Sequence, residues 1–304
     1  METDSSDFST RRALGLALAE QGFGFEAAAE QLEAAIRLNP SHTRTFADLS
    51  QLYSREGAFD RQLALLTRAI ERSPGDDDLI EGLLTTHLIA GNYRSADSLI
   101  ASHVFGQRHR NYSLRDKYRF LRYAMGAKAF QMGDYAAARG ELERALYPPS
   151  SLGADDFQYQ SAPRVHYYMG LALLKMGRNK DARAEFEKAA AGWEFLKGDR
   201  DSYNSENLFM ALALRELGQK EQSARLLTAM KKFAENDLES DYRQHQAEAY
   251  YLTGLALKVE GRRDEARKML EKAVSLEPSM IGPRLELRGD LIDMAPSDVS
   301  GSSK

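Results

Sequence analysis

An all-α solenoid of about seven antiparallel helix pairs is the fold class predicted by these 304 residues, and two observations predict it. A glycine in a short turn returns through most of the chain, at Gly57, Gly91, Gly133, Gly177, Gly218 and Gly261, with spacings of 34, 42, 44, 41 and 43 residues. Around each glycine, small and large residues keep fixed offsets. Five residues after it stand Ala96, Ala138, Ala182 and Ala266, with Ser223 a near match and Gln62 the exception. Nine after it stand Leu66, Ile100, Leu142, Phe186, Leu227 and Leu270, and eight before it Leu49, Leu83, Met125, Met169, Met210 and Thr253. Twelve after it, Ala69, Ala145, Ala189 and Ala273 recur, replaced in two units by His103 and Met230. Alanines allow two helices to cross closely and bulky residues fill the spaces between turns. The glycine ends the first helix because it tolerates the left-handed conformation of a C-terminal cap.

Taken in order, residues 1–9 are Ser/Asp-rich and expected to be disordered. A loose first unit over 10–40 runs from Arg11 through Gly15, Gly22, Phe25, Ala28, Leu32 and Ala35 to Pro40, and Pro40 lies 34 residues before Pro74. Units near 43–74 and 77–107 follow at that short period. The units near 113–147, 163–192, 204–234 and 242–278 are longer, and their extra residues go to longer helices or to loops at 104–111, 147–163 and 192–204. A repeat cannot bury its own apolar face, so 10–293 is expected to form one row. Residues 283–294 interleave Leu285, Leu287, Leu291 and Ile292 with Arg284, Glu286, Arg288, Asp290 and Asp293, which predicts a solvating cap helix. Residues 295–304 read as a disordered tail.

The composition suits a packed, soluble chain: 43% of residues are apolar and 28% charged, and 41 Lys plus Arg against 45 Asp plus Glu give a net charge of −4. With no cysteine, disulfides, thiolate metal sites and cysteine nucleophiles are excluded. The acidic start, Met1 to Asp7, has no apolar run behind it, and no stretch approaches a membrane span, so a cytoplasmic protein is expected.

The pattern resembles the tetratricopeptide repeat, whose unit of about 34 residues places a large residue, then Leu, Gly and Tyr on its first helix and Ala, Phe, Ala and Pro on its second. The best copy is 43–74, with Phe46, Leu49, Tyr53, Gly57, Phe59, Leu66, Ala69 and Pro74. It departs from the pattern at Ser50 and Gln62, which is expected to loosen the helix contact there. The resemblance covers about residues 10–278 and implies a right-handed superhelix that binds peptides or proteins. The segment ALYPPSSLG, with the units on either side of it, is also similar to the C-terminal repeat region of a bacterial family that carries an upstream β-rich, carbohydrate-related domain. No such domain lies in this chain.

Signs of catalysis are lacking. His42, His87, His103, His109, His166 and His245 make no i, i+4 pair, and no HExxH, GxSxG, GxxxxGK[ST] or GxGxxG is present. Asp76, Asp77, Asp78 and Glu81 follow Pro74-Gly75 at a helix start, where carboxylates cap free N–H groups and meet the positive end of the helix dipole. Asn111-Tyr112-Ser113 matches a glycosylation acceptor but lacks a secretory context. No enzyme, metal or cofactor is expected.

Charge is uneven. Residues 101–150 hold nine Lys plus Arg against four Asp plus Glu, while 1–100 hold nine against sixteen. Arg115, Arg119 and Arg122, interleaved with Tyr118, Phe120 and Tyr123, offer a basic edge. It suits an acidic peptide or protein better than nucleic acid, because the chain as a whole is acidic.

The resemblance implies that each first helix lines a concave groove. Residues ten, six and three before the anchor glycine share one helical stripe. It reads Ala47, Gln51, Ser54 and Glu81, Thr85, Leu88 in the short units. In the longer ones it reads Tyr123, Ala127, Phe130; Tyr167, Leu171, Leu174; Leu208, Leu212, Arg215; and Tyr251, Leu255, Lys258. An exposed apolar stripe rimmed by charge marks a binding surface. That makes Tyr123, Phe130, Tyr167, Leu171, Tyr251, Arg215 and Lys258 the candidate groove, for a peptide, helix or protein domain. The other reading is that closer packing in the longer units buries the stripe. The functional expectation is a non-catalytic binding scaffold; the alternative is an accessory module of a carbohydrate-related protein, stacking on sugars or holding a β-rich domain. The carboxylate-clamp subset of the family uses Lys and Asn in the groove, where this chain has Tyr, Leu and Ala.

Overall fold

A computed structural model describes residues 5–21, 24–106, 112–153, 162–192 and 203–293. Among them are fifteen α-helices, a single 3-10 turn at Ser150–Leu152 and no strand. The helices come in pairs: α1 Ser5–Gln21 with α2 Phe25–Leu38, α3 Thr43–Arg55 with α4 Phe59–Arg72, and α5 Asp77–Ala90 with α6 Tyr93–Ser102. Next are α7 Tyr112–Gln131 with α8 Tyr135–Leu146, and α9 Pro163–Lys175 with α10 Asn179–Ala190. The series ends with α11 Ser205–Glu216 and α12 Lys220–Leu238, α13 Arg243–Val259 and α14 Arg263–Leu276, and a lone short helix, α15 Ile281–Arg288. No described helix is long and apolar enough to cross a membrane.

The turn between the two helices of a pair is built alike six times. Each anchor glycine has a positive φ, from 71° at Gly57 to 82° at Gly218. At Gly57, its N–H donates to the Ser54 carbonyl at 3.2 Å and the next N–H, of Ala58, reaches back to Tyr53 at 2.8 Å. The same two bonds recur at Gly91, Gly133, Gly177, Gly218 and Gly261. They satisfy carbonyls that the helix end would leave unpaired, and only the left-handed conformation permits them.

Packing within a pair rests on two further positions. Seven residues before the anchor, a Cβ added at Gly126, Gly170 or Gly254 would come within 3.2, 2.4 and 3.0 Å of Leu142, Phe186 and Leu270, so the large side chain of the second helix sits directly on glycine backbone. The small residue five after the anchor, at Ala96, Ala138 and Ala182, is fully buried. In α3 and α4 the departures Ser50 and Gln62 do not loosen this contact. Both are buried, and Gln62 Nε2 donates to the Ser50 carbonyl at 3.1 Å and to its Oγ at 3.0 Å. A hydrogen bond stands where other units use small size. Ser223 behaves likewise, its Oγ donating to the Ala211 carbonyl at 2.6 Å.

The helices group into two compact units. The N-terminal unit comprises residues 1–117 with 150–154, and the C-terminal unit comprises 118–149 with 155–304. In the first, the core joins Ala28, Leu32, Phe46, Leu49, Leu52, Tyr53, Leu65, Leu66, Leu79 and Leu83. The 3-10 turn belongs there too, because the Phe105 N–H donates to the Ser151 carbonyl at 2.7 Å. In the second, aromatic contacts run through Tyr123, Tyr167, Tyr168, Phe186 and Phe209.

Two ends differ from expectation. Helix α1 begins at Ser5, inside the segment read as disordered. Helix α15 is shorter than the expected cap helix; its Pro283, Leu285 and Glu286 are buried, while Arg288 is exposed and Arg284 half-buried. Residues 295–304 and most of the three loops lie outside the described residues.

Candidate interaction surface

The inward stripe of the first helices is open in one unit and closed in the other. In the N-terminal unit Gln51 is exposed, Ala47, Ser54, Glu81 and Thr85 are half-buried, and only Leu88 is buried. The neighbouring polar groups are mutually engaged. Arg12 Nε donates to Asp48 at 2.6 Å, and Glu81 accepts from Lys117 and, at 3.0 Å, from Ser113. In this unit the Arg61 guanidinium also stacks on Phe25 and Tyr53 at 5.1 and 4.7 Å. The Tyr53 hydroxyl donates to Glu33 at 2.7 Å, and burial together with that carboxylate raises its pKa to about 12.

In the C-terminal unit the stripe has become core. Tyr123, Tyr167 and Tyr251 are 3, 2 and 3% exposed, and Ala127, Leu208, Leu212 and Leu255 are buried with them. Of the two sequence readings, burial by close packing therefore holds for these three tyrosines. Tyr167 lies against Phe186 and Phe209 with ring centroids 5.7 and 5.9 Å away, while Tyr123 meets Tyr168 edge-on at 6.2 Å. Burial drives the Tyr167 and Tyr251 hydroxyls well above their ordinary pKa. None of these rings offers a face for a sugar. Tyr147 and Tyr242, which are exposed, are not on the stripe.

At the centre of this core stands Arg164, fully buried. Its guanidinium lies over Phe209 at 4.4 Å, Tyr123 at 5.3 Å and Phe120 at 5.5 Å. Nη2 reaches the Tyr251 hydroxyl at 3.4 Å, Nε is 3.5 Å from Glu206 Oε1, and the Arg164 backbone N–H donates to Glu206 Oε2 at 3.0 Å. Burial alone would weaken its hold on the proton, but Tyr251 and Glu206 outweigh that and strengthen it. Glu248 is affected in the opposite sense: burial raises its pKa and the charge of Arg164 only partly counters this. Sequence reasoning missed this group. Its one signal was an arginine immediately before the mostly apolar run from Val165 to Leu174.

The accessible part of the stripe is its rim. Phe130, Leu171, Arg215 and Lys258 are half-buried, and Leu174, Met176 and Met132 are 38, 37 and 71% exposed at the ends of α9 and α7. Lys258 donates to Glu286 at 2.6 Å and Gln131 Nε2 to the Gly289 carbonyl at 2.8 Å, so α15 is tied to this rim. The expected basic edge does not face solvent as an edge. Arg115 and Arg122 are buried and Arg119 is half-buried. Arg122 donates to Glu141 at 2.9 Å and stacks over Tyr118 at 4.7 Å.

The remaining polar candidates have local partners. Asp76 caps α5, accepting from the N–H groups of Asp78 and Leu79 at 3.1 and 3.2 Å. Asp77 binds His103 Nε2 at 2.7 Å and the Gly106 N–H at 2.9 Å, and His166 Nδ1 meets Glu185 at 2.7 Å. No group of three or more His, Asp or Glu able to hold a metal occurs among the described residues. His109 and the glycosylation-like Asn111 lie outside those residues.

Two family models match the chain, both described as tetratricopeptide repeat, one over residues 12–77 and one over 247–280. No curated protein matches it. Among solved structures it is similar to a tetratricopeptide repeat protein from Parabacteroides merdae, at 15% identity and a TM-score of 0.49, over 93% of this chain and 99% of that one. It is also similar to the C-terminal part of a TPR repeat-containing protein from Cytophaga hutchinsonii, at 14% identity and a TM-score of 0.40, over 88% of this chain and 96% of that one.

Proposed function

We propose that this chain, a tetratricopeptide-repeat protein, is a non-catalytic scaffold that binds a peptide or protein along the rim of its C-terminal unit. The observation that supports this is the exposure of three large apolar side chains, Met132, Leu174 and Met176, at the ends of α7 and α9. Solvent-facing large apolar groups are a common mark of a partner surface, and methionine adapts its shape to what it meets. Phe130 and Leu171 extend the rim, and Arg215 gives it positive charge, suiting an acidic or helical partner. Tyr123, Tyr167 and Tyr251 act as its floor: they fix the first helices from beneath and keep the rim formed before a ligand arrives.

The test is selection from a random peptide library on the purified chain, followed by affinity measurement on a Met132→Ser, Leu174→Ser, Met176→Ser variant. Selected peptides should bind the variant at least tenfold more weakly while its melting temperature stays that of the parent. Peptides that bind both equally well, or a library that yields none, would remove the rim from consideration.

A further inference from the structure

Helix α15 lies on the C-terminal unit as a ligand would. Its Gly282 approaches the Tyr251 hydroxyl so closely that a Cβ there would come within 2.6 Å. Four residues on, the Glu286 side chain is 0% exposed and accepts from Lys258 Nζ at 2.6 Å. Leu285, between them, is also fully buried. Just beyond the helix, the Gly289 carbonyl accepts from Gln131. Gln131 belongs to α7 and Lys258 to α13, so the segment bridges the first and last of this unit's paired first helices.

The attachment is selective without being built for stability. Eight residues make a helix that is marginal by itself. Its N-cap, Met280, supplies no side-chain hydrogen bond. Glu286 Oε1 and the Tyr168 hydroxyl are both buried and have no hydrogen-bond partner among the described residues. Unsatisfied buried polar atoms oppose the docked state, and an apolar side chain of similar size would avoid that cost. A buried ion pair that costs stability is best understood through what it selects.

We propose that α15 is the resident occupant of a helix-receiving face, and that an amphipathic helix with the spacing Gly-x-x-Leu-Glu, presented by a partner, displaces it. This rests on the scaffold reading and names its partner class. Glycine is required under the Tyr251 hydroxyl, leucine fills the buried position of Leu285, and glutamate pairs with Lys258. Being tethered, α15 competes at high effective concentration, so the chain binds its partner more weakly than the bare face would.

The probe is a labelled synthetic peptide of residues 279–293, titrated into the full chain by fluorescence anisotropy. Glu286→Lys sets two cations against each other and should release α15, so that variant is expected to bind the peptide at least tenfold more tightly than the parent. Adding Lys258→Glu restores the internal pair with reversed sign and should abolish binding of the same peptide. A Glu286→Lys chain that binds no better than the parent overturns the proposal. If that variant does not fold, hydrogen exchange on the parent decides. Amides of Leu285 to Arg288 should exchange through a local opening, well before those of Leu252 to Leu257, and exchange of both sets only on global unfolding would overturn it. A chain that passes the library test but fails this one remains a scaffold without a displaceable helix, whereas failure of the library test removes the rim reading on which this one rests.

Discussion

Ten residues before the anchor glycine, the N-terminal unit carries Ala47 and Glu81, small or polar and half-buried, where the C-terminal unit carries Tyr123, Tyr167 and Tyr251 with 3% or less of their surface exposed. The turns and the contacts within pairs follow one pattern in both units, down to the paired hydrogen bonds at every anchor glycine. What differs is the size and polarity of the inward residues. Short polar side chains leave an inner face hydrated. Large rings bring the first helices together around themselves, and the inner face becomes a second core with Arg164 at its centre. A concave stripe is therefore a groove only while its residues are too small or too polar to fill it.

The largest test of this contrast is Tyr167→Ala against Gln51→Ala. Removing a buried aromatic ring costs about 3–5 kcal/mol, while an exposed polar change stays within about 0.5 kcal/mol. Urea unfolding followed by circular dichroism should separate the two clearly, and similar midpoints would mean that the two stripes do the same job.

An intermediate effect is expected from Glu248→Gln, because a carboxyl group near Arg164 is held in a half-buried, poorly solvated position. The folded-state pKa of Glu248 is raised, so its contribution is fully present below the unfolded value near 4.5 and is lost as pH rises through the folded value. The variant should therefore be more stable than the parent at pH 7 and gain little at pH 4. A gain that is the same at both values would show that charge burial is not the cause.

The smallest expected effect lies in the N-terminal unit. Gln62→Ala should lose about 1 kcal/mol, since it removes the hydrogen bonds to Ser50 inside a buried contact. Ser50→Ala together with Gln62→Ala should recover most of that, because both polar partners then leave at once. If the single and double variants unfold at the same denaturant concentration, size and not hydrogen bonding governs this crossing.

The helix ends and their partners were legible because they depend on short-range chemistry. A glycine that must adopt positive φ, followed by a small residue at five and a large one at nine, marks a helix pair using fewer than twenty residues. Gly289 escaped notice although it ends α15 with the same two hydrogen bonds, from its own N–H to Glu286 and from the Asp290 N–H to Leu285 at 2.9 Å. The positions five and nine beyond it are Met294 and Asp298, so nothing in the spacing pointed back to it. The stripe of tyrosines was legible too, but its burial was not. That depends on contacts distant in sequence, such as Arg164 with Tyr251 and Gln131 with Gly289. The basic segment misled for a similar reason, since Glu141, nineteen residues beyond Arg122, holds its guanidinium inside the fold.

The Ser50–Gln62 bond has an evolutionary corollary. A glutamine at position 62 is best satisfied while position 50 supplies a hydroxyl beside its backbone carbonyl, and an alanine at 62 makes that hydroxyl superfluous. The two sites should therefore drift as a linked couple in descendants of this sequence, passing between a polar state and a small-residue state in paired steps. Lineages caught between the two would carry a slightly weakened second repeat, so the mixed combinations should be the rare ones.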